Sequence, residues 1–221
     1  MPEIDSAFYT IGAQRPKRKS RIRTSETEMQ HLLIAWIAIS TAFAFVLSGS
    51  ARHNPFSEIV VRYFIVSMFT VGIGFLFHEL AHKVVAQRYG LWAEFRMSPT
   101  LLMLAVGVAY LAGLIFAAPG AVYISGSYIT QEQNGRIAAA GPLMNILLAA
   151  IFIMISMQSG FVEGLGRYGG LAVYLGVKIN LWLAGFNMLP FSVLDGKKVF
   201  SWSVPAFVGI YLLIILMWIS S

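Results

Sequence analysis

The sequence predicts an all-α membrane protein: a polytopic bundle of about six hydrophobic segments, with a small re-entrant or β-hairpin element near residues 117–125. Two observations support this fold class. Of the 221 residues, 57% are hydrophobic and only 12% are charged. A globular domain of this size cannot bury so much apolar surface, so lipid must cover part of it. The apolar residues also fall in runs of helical length, separated by polar or Gly- and Pro-containing breaks.

The first 30 residues are polar and basic, and are predicted to form a cytosolic tail that turns helical near Ser25–Glu28. Six cations stand just before the first apolar run, and beside a membrane segment such a block more often marks the cytoplasmic side than a nucleic-acid site. That run, Leu32–Leu47, is slightly short for a full span. It also fits the h-region of a signal peptide, but the long basic lead favours an uncleaved first helix.

The rest of the chain alternates apolar segments with breaks. The second apolar segment ends near Gly90, which suits a helix C-cap. In order, the predicted elements are a helix at Ile59–Ala86, a mixed connector at Leu91–Pro99, an apolar stretch at Leu101–Phe116, a strand-like Ala121–Ile124, a helix at Ile137–Met157, a Gly-rich loop at Gln158–Gly170, a helix at Leu171–Met188, a break at Leu189–Gly196 and a last span at Val204–Ile219.

The second helix contains the pentapeptide His78–His82, which reads H-E-L-A-H and fits the H-E-x-x-H pattern of zinc-dependent hydrolases. On a helix the two histidines share one face, so both imidazoles can reach one metal ion. Glu79 can then contact a zinc-bound water without being a ligand and act as its general base. Zinc lowers the pKa of such a water to about 7, which makes it a nucleophile at neutral pH.

A chance match on a solvated helix is the plain alternative to a metal site. It is disfavoured because apolar residues flank the motif on both sides, and ionisable residues at membrane depth are energetically expensive. We therefore expect one zinc ion per chain, with zinc favoured over other divalent metals by the type of ligand.

The third ligand of this site is sought among the remaining histidines and acids, because a catalytic zinc ion takes three protein ligands. His31 and His53 lie outside the apolar spans. Among the acids after His82, only Asp195 lies at the break of an apolar segment, where irregular backbone can line a cavity. Asp-Gly is also a common turn pair, so the residues alone leave a ligand and a turn both open.

Three stretches together resemble the site-2 protease family of intramembrane zinc metalloproteases, peptidase family M50. They follow the family's order and extend over most of the chain, roughly Ile59 to Phe200. The matching stretches are His78–His82, Ala140–Asn145, and Phe186–Pro190 running on to Leu194–Gly196.

The resemblance implies a role for each site residue. It makes His78, His82 and Asp195 the metal ligands, and Glu79 and Asn187 the catalytic residues. Asn187 matches an asparagine thought to hold the substrate carbonyl or its oxyanion, a task that an amide donor suits.

Two further positions match the family with less definite implications. Asn145 matches an asparagine for which helix–helix hydrogen bonding and catalysis are both open. Ala118–Val122 matches a region where many members have a β-hairpin that presents an edge to substrate, and edge pairing would hold a peptide extended.

The metal site also constrains the topology, because the two histidines of the second helix and Asp195 must lie at one depth in the membrane. With the tail in the cytosol, the first helix leads out and the second returns, which places His78 and His82 toward the cytosolic side. Asp195 follows a helix that must also run inward, so Leu101–Phe116 is predicted to re-enter or to pair with the following segment, without a net crossing. Most cations then lie inside, in agreement with the positive-inside rule, and those left outside are Arg52, Arg62, Arg167 and Lys178.

These features predict an intramembrane zinc metalloendopeptidase that hydrolyses a peptide bond within or near a transmembrane helix of a membrane protein substrate, as in regulated intramembrane proteolysis. The expected organisation is a basic cytosolic tail at 1–30 and a protease domain at 31–221, in a multi-pass protein of the cell membrane with a cytosolic N-terminus. Its expected partners are the transmembrane substrate and the lipid bilayer, with no nucleic acid and no nucleotide.

Two alternatives stand beside this prediction. A catalytically silent homologue that binds membrane proteins is weakened because the four central residues His78, Glu79, His82 and Asp195 are all present. A zinc transporter would need acidic or histidine residues along both halves of a pathway, and the outer halves of the spans have almost none. The chain has no cysteine, which excludes disulfides and thiolate zinc sites within it.

Overall fold

The computed structural model describes residues 22–115, 120–126 and 128–221. The tail up to residue 21 and part of the expected re-entrant element, 117–119, lie outside the described residues. The described elements are α1 (Glu26–Leu47), a 3-10 turn (Gly49–His53), α2 (Glu58–Ser67), a π-helical turn (Met68–Gly72), α3 (Ile73–Arg88), β1 (Trp92–Met97), α4 (Pro99–Ala112), β2 (Gly120–Ser125), α5 (Gln131–Ser156), α6 (Ser159–Gly164), α7 (Gly166–Asn187), α8 (Asp195–Trp202) and α9 (Val204–Ser220).

Four helices in the described part of the chain are long and apolar enough to cross a membrane. Two further apolar helices, α4 and α9, are shorter. The expected count of about six hydrophobic segments is therefore not confirmed, because four helices have spanning length. The four are α1, the continuous helix Glu58–Arg88 formed by α2, the π turn and α3, then α5 and α7.

Short polar residues at the breaks explain where the helices begin. A side-chain oxygen at the N-cap accepts a hydrogen bond from a backbone N–H of the first turn, and thereby satisfies a donor that has no partner within the helix. Thr130 forms a full capping box with Gln133 at the start of α5. The other capping residues are Ser25 before α1, Ser57 before α2, Ser98 before α4 and Ser203 before α9.

Contacts between helix ends show that successive spanning helices run antiparallel. Lys83 near the end of α3 bonds Glu28 at the start of α1. His82 of α3 bonds the carbonyl of Ile137 near the start of α5. Asp195, which follows the end of α7, lies against His82. All four spanning helices therefore have one end at the same side of the bundle, where the metal motif lies.

The two strands pair antiparallel, and α4 lies between them along the chain. The register runs from Trp92 opposite Ser125 to Met97 opposite Gly120. Met97 and Gly120, which flank the segment 98–119, therefore lie opposite each other. That Leu101–Phe116 makes no net crossing of the membrane stays a prediction. The helical part of that segment, α4, spans 14 residues.

Two expectations for the connecting segments were wrong. The stretch Leu91–Pro99, predicted as a mixed connector, contains β1, so the β element is a pair of distant strands and not a local hairpin. The Gly-rich stretch Gln158–Gly170, predicted as a loop, contains α6 and the first residues of α7. α1 begins at Glu26, within the stretch Ser25–Glu28 where the basic tail was expected to turn helical.

A buried ion pair joins α1 to α3. The Lys83 ammonium lies 2.5 Å from Glu28 Oε2, with 1% and 0% of the two side chains exposed. Lys83 also donates to Thr24 Oγ1 at 2.7 Å, and the other oxygen of Glu28 accepts from the backbone N–H of Phe95 in β1 at 3.0 Å. The pair therefore ties the start of α1 to both α3 and the sheet.

Breaking this pair is expected to be costly. We expect Lys83→Met to lower the free energy of unfolding by about 3–5 kcal/mol, because it leaves the Glu28 carboxylate buried without its cation. The double variant with Glu28→Gln should lose less. As a control, Arg136→Met removes an exposed pair with Glu132 and should change stability by less than about 1 kcal/mol. Unfolding of the purified proteins in detergent measures all three, and equal losses for Lys83→Met and Arg136→Met would contradict the expectation.

Candidate metal centre

Three side chains from two helices converge on one point. His78 and His82 lie one turn apart on α3 and are buried, with their Nε2 atoms 3.0 Å apart. Asp195, the first residue of α8, places Oδ2 3.3 Å from His78 Nε2 and 3.1 Å from His82 Nε2. These are the residues that the sequence singled out as metal ligands, and the structure brings all three together.

The outer nitrogens of both imidazoles are held by α5. His82 Nδ1 lies 2.7 Å from the carbonyl oxygen of Ile137. A carbonyl only accepts, so Nδ1 carries the hydrogen and Nε2 keeps its lone pair. His78 Nδ1 lies 2.6 Å from Asn145 Oδ1. Both rings thus turn their Nε2 atoms toward Asp195.

The spacing of the three donor atoms suits a zinc ion. Zinc binds nitrogen and oxygen at about 2.0–2.1 Å in a tetrahedron, which requires donors about 3.3 Å apart. The three separations here are 3.0, 3.1 and 3.3 Å. The lone pairs of the two Nε2 atoms and the carboxylate oxygen point toward one another and repel. A cation between these three atoms would remove that repulsion. His78, His82 and Asp195 therefore fit a metal with three protein ligands.

Two glycines make this convergence possible. A Cβ atom on Gly141 of α5 would lie 2.6 Å from His78 Nε2, so only a hydrogen leaves room for the imidazoles. A Cβ atom on Gly196 would overlap the carbonyl of Met188 at the end of α7. The Asp-Gly pair is therefore no turn here: Asp195 opens a helix, and Gly196 lets that helix approach α7 closely.

Glu79 and the three donors border a cavity of about 570 Å³. Glu79 follows His78 on α3 and is partly buried. It is not among the converging donors, and its carboxylate faces the backbone N–H of Val122 in β2. Apolar side chains make up much of the wall, including Phe43, Val71, Phe75, Ile115, Trp182 and Phe186.

Asn187 also lines this cavity, at the end of α7. Its Nδ2 donates to the carbonyl of Leu183 at 3.0 Å. An amide nitrogen carries two hydrogens, so this bond does not exhaust the donor capacity of Asn187. The structure places Asn187 on the cavity wall, and the role as an oxyanion donor stays a proposal.

The free edge of β2 faces the same cavity. The backbone N–H of Phe95 in β1 points to Glu28 and not to β2, so Phe95 and its partner Val122 form a non-hydrogen-bonded pair. In an antiparallel ladder the backbone groups of such a pair point outward on both strands, and alternate residues behave alike. Val122, and with it Gly120 and Ile124, therefore directs its backbone to the edge that lines the cavity. Within the described residues no other strand pairs with that edge.

Sequence reasoning missed several parts of the site. The Ile137 carbonyl could not have been found, because a backbone acceptor leaves no signal in residue type. Trp182 also lines the cavity, and an aromatic residue in an apolar helix gives no sign of that in the sequence. Asn180 bonds Asn145 at 2.9 Å. Asparagine inside an apolar helix was the available signal.

The chain matches the model of the family described as Peptidase family M50 over residues 64–170. This range contains the motif His78–His82 and Asn145, and it ends before Asp195.

The chain is also similar to proteins that are named as zinc metalloproteases. The chain is 40% identical over 208 residues to the "Putative zinc metalloprotease MJ0611" of Methanocaldococcus jannaschii, covering 90% of this chain and 100% of that protein. It is 27% identical over 127 residues to the "Zinc metalloprotease MJ0392" of the same organism, covering 58% of this chain and 31% of that protein. No solved structure matches the chain significantly.

Proposed function

The chain belongs to peptidase family M50 and is a zinc metalloprotease, and on that premise we propose that it cuts a peptide bond within or near a transmembrane helix of another membrane protein. One observation carries this proposal. The cavity that holds the candidate metal ligands and Glu79 lies among α3, α5, α7 and β2, and the three helices are parts of spanning-length segments. A substrate that reaches this cavity must come from the membrane or its surface.

The positions of the site residues support a role for each of them in this proposal. His78, His82 and Asp195 would hold the zinc ion, which when bound supplies a Lewis acid and an activated water. Glu79, beside the ligands on the cavity wall, would take the proton of the attacking water and pass it to the leaving amine. Asn187 would direct an amide N–H to the developing oxyanion.

The free edge of β2 would hold the substrate. A transmembrane helix has its backbone hydrogen bonds satisfied internally, so it must unwind before a peptide bond is accessible. The outward backbone groups of Gly120, Val122 and Ile124 can pair with the unwound segment as an added strand. An extended substrate beside Glu79 would then expose its peptide bond to attack.

Ile124→Pro tests the edge. The Val122 N–H faces the Glu79 carboxylate, so a change there would also disturb Glu79, whereas Ile124 has the same outward direction two residues on. Proline removes the N–H that points to the cavity, and no bond to β1 is lost because this N–H is on the outer side. We expect kcat/KM for a membrane substrate to fall by roughly 2–12-fold, the equivalent of one hydrogen bond, with bound zinc unchanged. Ile124→Ala keeps the N–H and should cleave like the wild type. If both variants cleave equally, substrate does not pair at this position.

The proposed activity is tested with purified protein in liposomes that also contain a single-span substrate. Cleavage that stops with a chelator and returns with zinc supports the protease. Zinc flux into liposomes without cleavage would favour a transporter. Binding of the substrate without cleavage, across several helical substrates, would favour a silent homologue.

We propose further that the site lies toward the cytosol in the cell membrane. The cations of α3, α5 and α8 lie at the same end of the bundle as the metal ligands, which fits the positive-inside rule. Because the chain has no cysteine, single cysteines report sidedness without background. We expect a thiol reagent that cannot cross the membrane to label Gln131→Cys only from the cytosolic side and Asn54→Cys only from the other. The reverse pattern would overturn this orientation.

A further inference from the structure

A chain of buried amides runs from α7 to the metal ligand His78. Asn180 and Asn145 are both 0% exposed, in a part of the bundle where apolar side chains predominate. Asn180 Nδ2 lies 2.8 Å from the carbonyl oxygen of Gly176, and Asn180 Oδ1 lies 2.9 Å from Asn145 Nδ2. Asn145 Oδ1 in turn lies 2.6 Å from His78 Nδ1.

The direction of every hydrogen bond in this chain is fixed by two backbone carbonyls. A carbonyl only accepts, so Asn180 must turn its NH₂ to Gly176 and its oxygen to Asn145. The NH₂ group of Asn145 also lies 3.0 Å from the carbonyl of Gly74, which demands the same amide orientation. Asn145 therefore presents its oxygen to His78, and His78 Nδ1 must carry the hydrogen.

From this geometry we propose that Asn180 and Asn145 form an amide relay that fixes the tautomer and direction of His78, with Asn180 as a positioning residue that acts through Asn145. The relay leaves the lone pair on His78 Nε2, the atom that faces His82 and Asp195. This inference rests on the proposed metal site and deepens it. Outer partners of this kind commonly orient a ligating histidine.

The close approach of α7 and α3 supports a positioning role. A Cβ atom on Gly74 would lie 2.7 Å from Asn180 Oδ1, so the relay needs a glycine where the two helices meet. Gly74 lies one turn before His78 on the same helix. Hydrogen bonds that served only to join helices would have no reason to end on a metal ligand. This series of hydrogen bonds does end on one, His78.

The experiment measures how fast zinc leaves the protein. Zinc-loaded wild type, Asn145→Leu and Asn180→Leu are mixed with a chromogenic chelator, and the release rate is followed. We expect release to be about 10–100-fold faster in Asn145→Leu, as for lost outer-shell partners in general, and faster than wild type by a smaller factor in Asn180→Leu, where Asn145 keeps its bond to Gly74. Thr70→Val is the control, because Thr70 is also 0% exposed in the same continuous helix but bonds only the carbonyl of Val66.

A second measurement needs no variant in the relay. Zinc-loaded wild type labelled with ¹⁵N-histidine should show His78 with a protonated Nδ1, and the chain has only four histidines to assign. An unprotonated Nδ1 would overturn the relay, as would release from both leucine variants at the rate of Thr70→Val. In either case, the protease proposal remains valid if the wild type still binds zinc and cleaves. If the wild type holds no zinc, both proposals fail.

Discussion

Glu79→Gln is expected to reduce the rate of peptide cleavage by about 10²–10⁴-fold, the usual contribution of a general base, while zinc content stays that of the wild type. The carboxylate lies on the cavity wall beside His78 but outside the group of converging donors. Glutamine keeps the shape of the side chain and cannot accept the proton of the attacking water. The measurement is kcat on a membrane substrate together with zinc per chain.

A matched control separates this effect from a general loss of an acid. Glu132→Gln changes an exposed acid at the start of α5, on the same side of the bundle as the site. It should cleave like the wild type. A Glu79→Gln variant that cleaves within a few-fold of wild type would remove Glu79 from the mechanism, and one that has lost its zinc would make it a ligand.

Asp195→Asn is expected to weaken zinc binding by more than about 100-fold, since outer-shell changes alone typically cost 10–100-fold. Asparagine keeps the shape but removes the charge that balances the cation between His78 and His82. Cleavage at limiting free zinc should therefore disappear. Titration with zinc in a metal buffer, followed by activity at each zinc concentration, measures both quantities.

The acid control for this variant is Glu163→Gln, which changes an exposed carboxylate of α6. Its zinc affinity should not change. If Asp195→Asn bound zinc as tightly as the wild type, the third ligand would have to be another residue, and the convergence of Asp195 on the two histidines would have a structural role only.

The sequence predicted much of this site because its chemistry depends on residue type. His78, Glu79 and His82 share a short helical pattern, and Asp195 was found among few candidates because acids are rare in apolar segments. Their convergence could be expected from the need of zinc for a third ligand. What the residues left open was whether Asp195 lies in a turn, and the close approach of Gly196 to α7 decides this.

The parts that could not be predicted depend on contacts distant in the chain. β1 is six residues long and pairs with a strand beyond α4, so no local turn signal marks it. The partners of Glu28 at the start of α1, which lie in α3 and β1, could not be predicted either. In the sequence, Lys83 and Glu28 look like two ordinary surface residues, and nothing there shows that they form a buried pair.

The shortness of α9 has a consequence for the lipid around the protein. A helix of 17 residues is about 26 Å long, whereas the hydrocarbon core of a bilayer is about 30 Å thick. A short apolar helix is accommodated by local thinning of the bilayer or by polar flanks that reach the interface. Since α9 packs against α8, which begins with Asp195, lipid that meets α9 lies close to the metal ligands. Local thinning there would bring the headgroup layer, and the water within it, closer to the site than the depth of an unperturbed leaflet would allow.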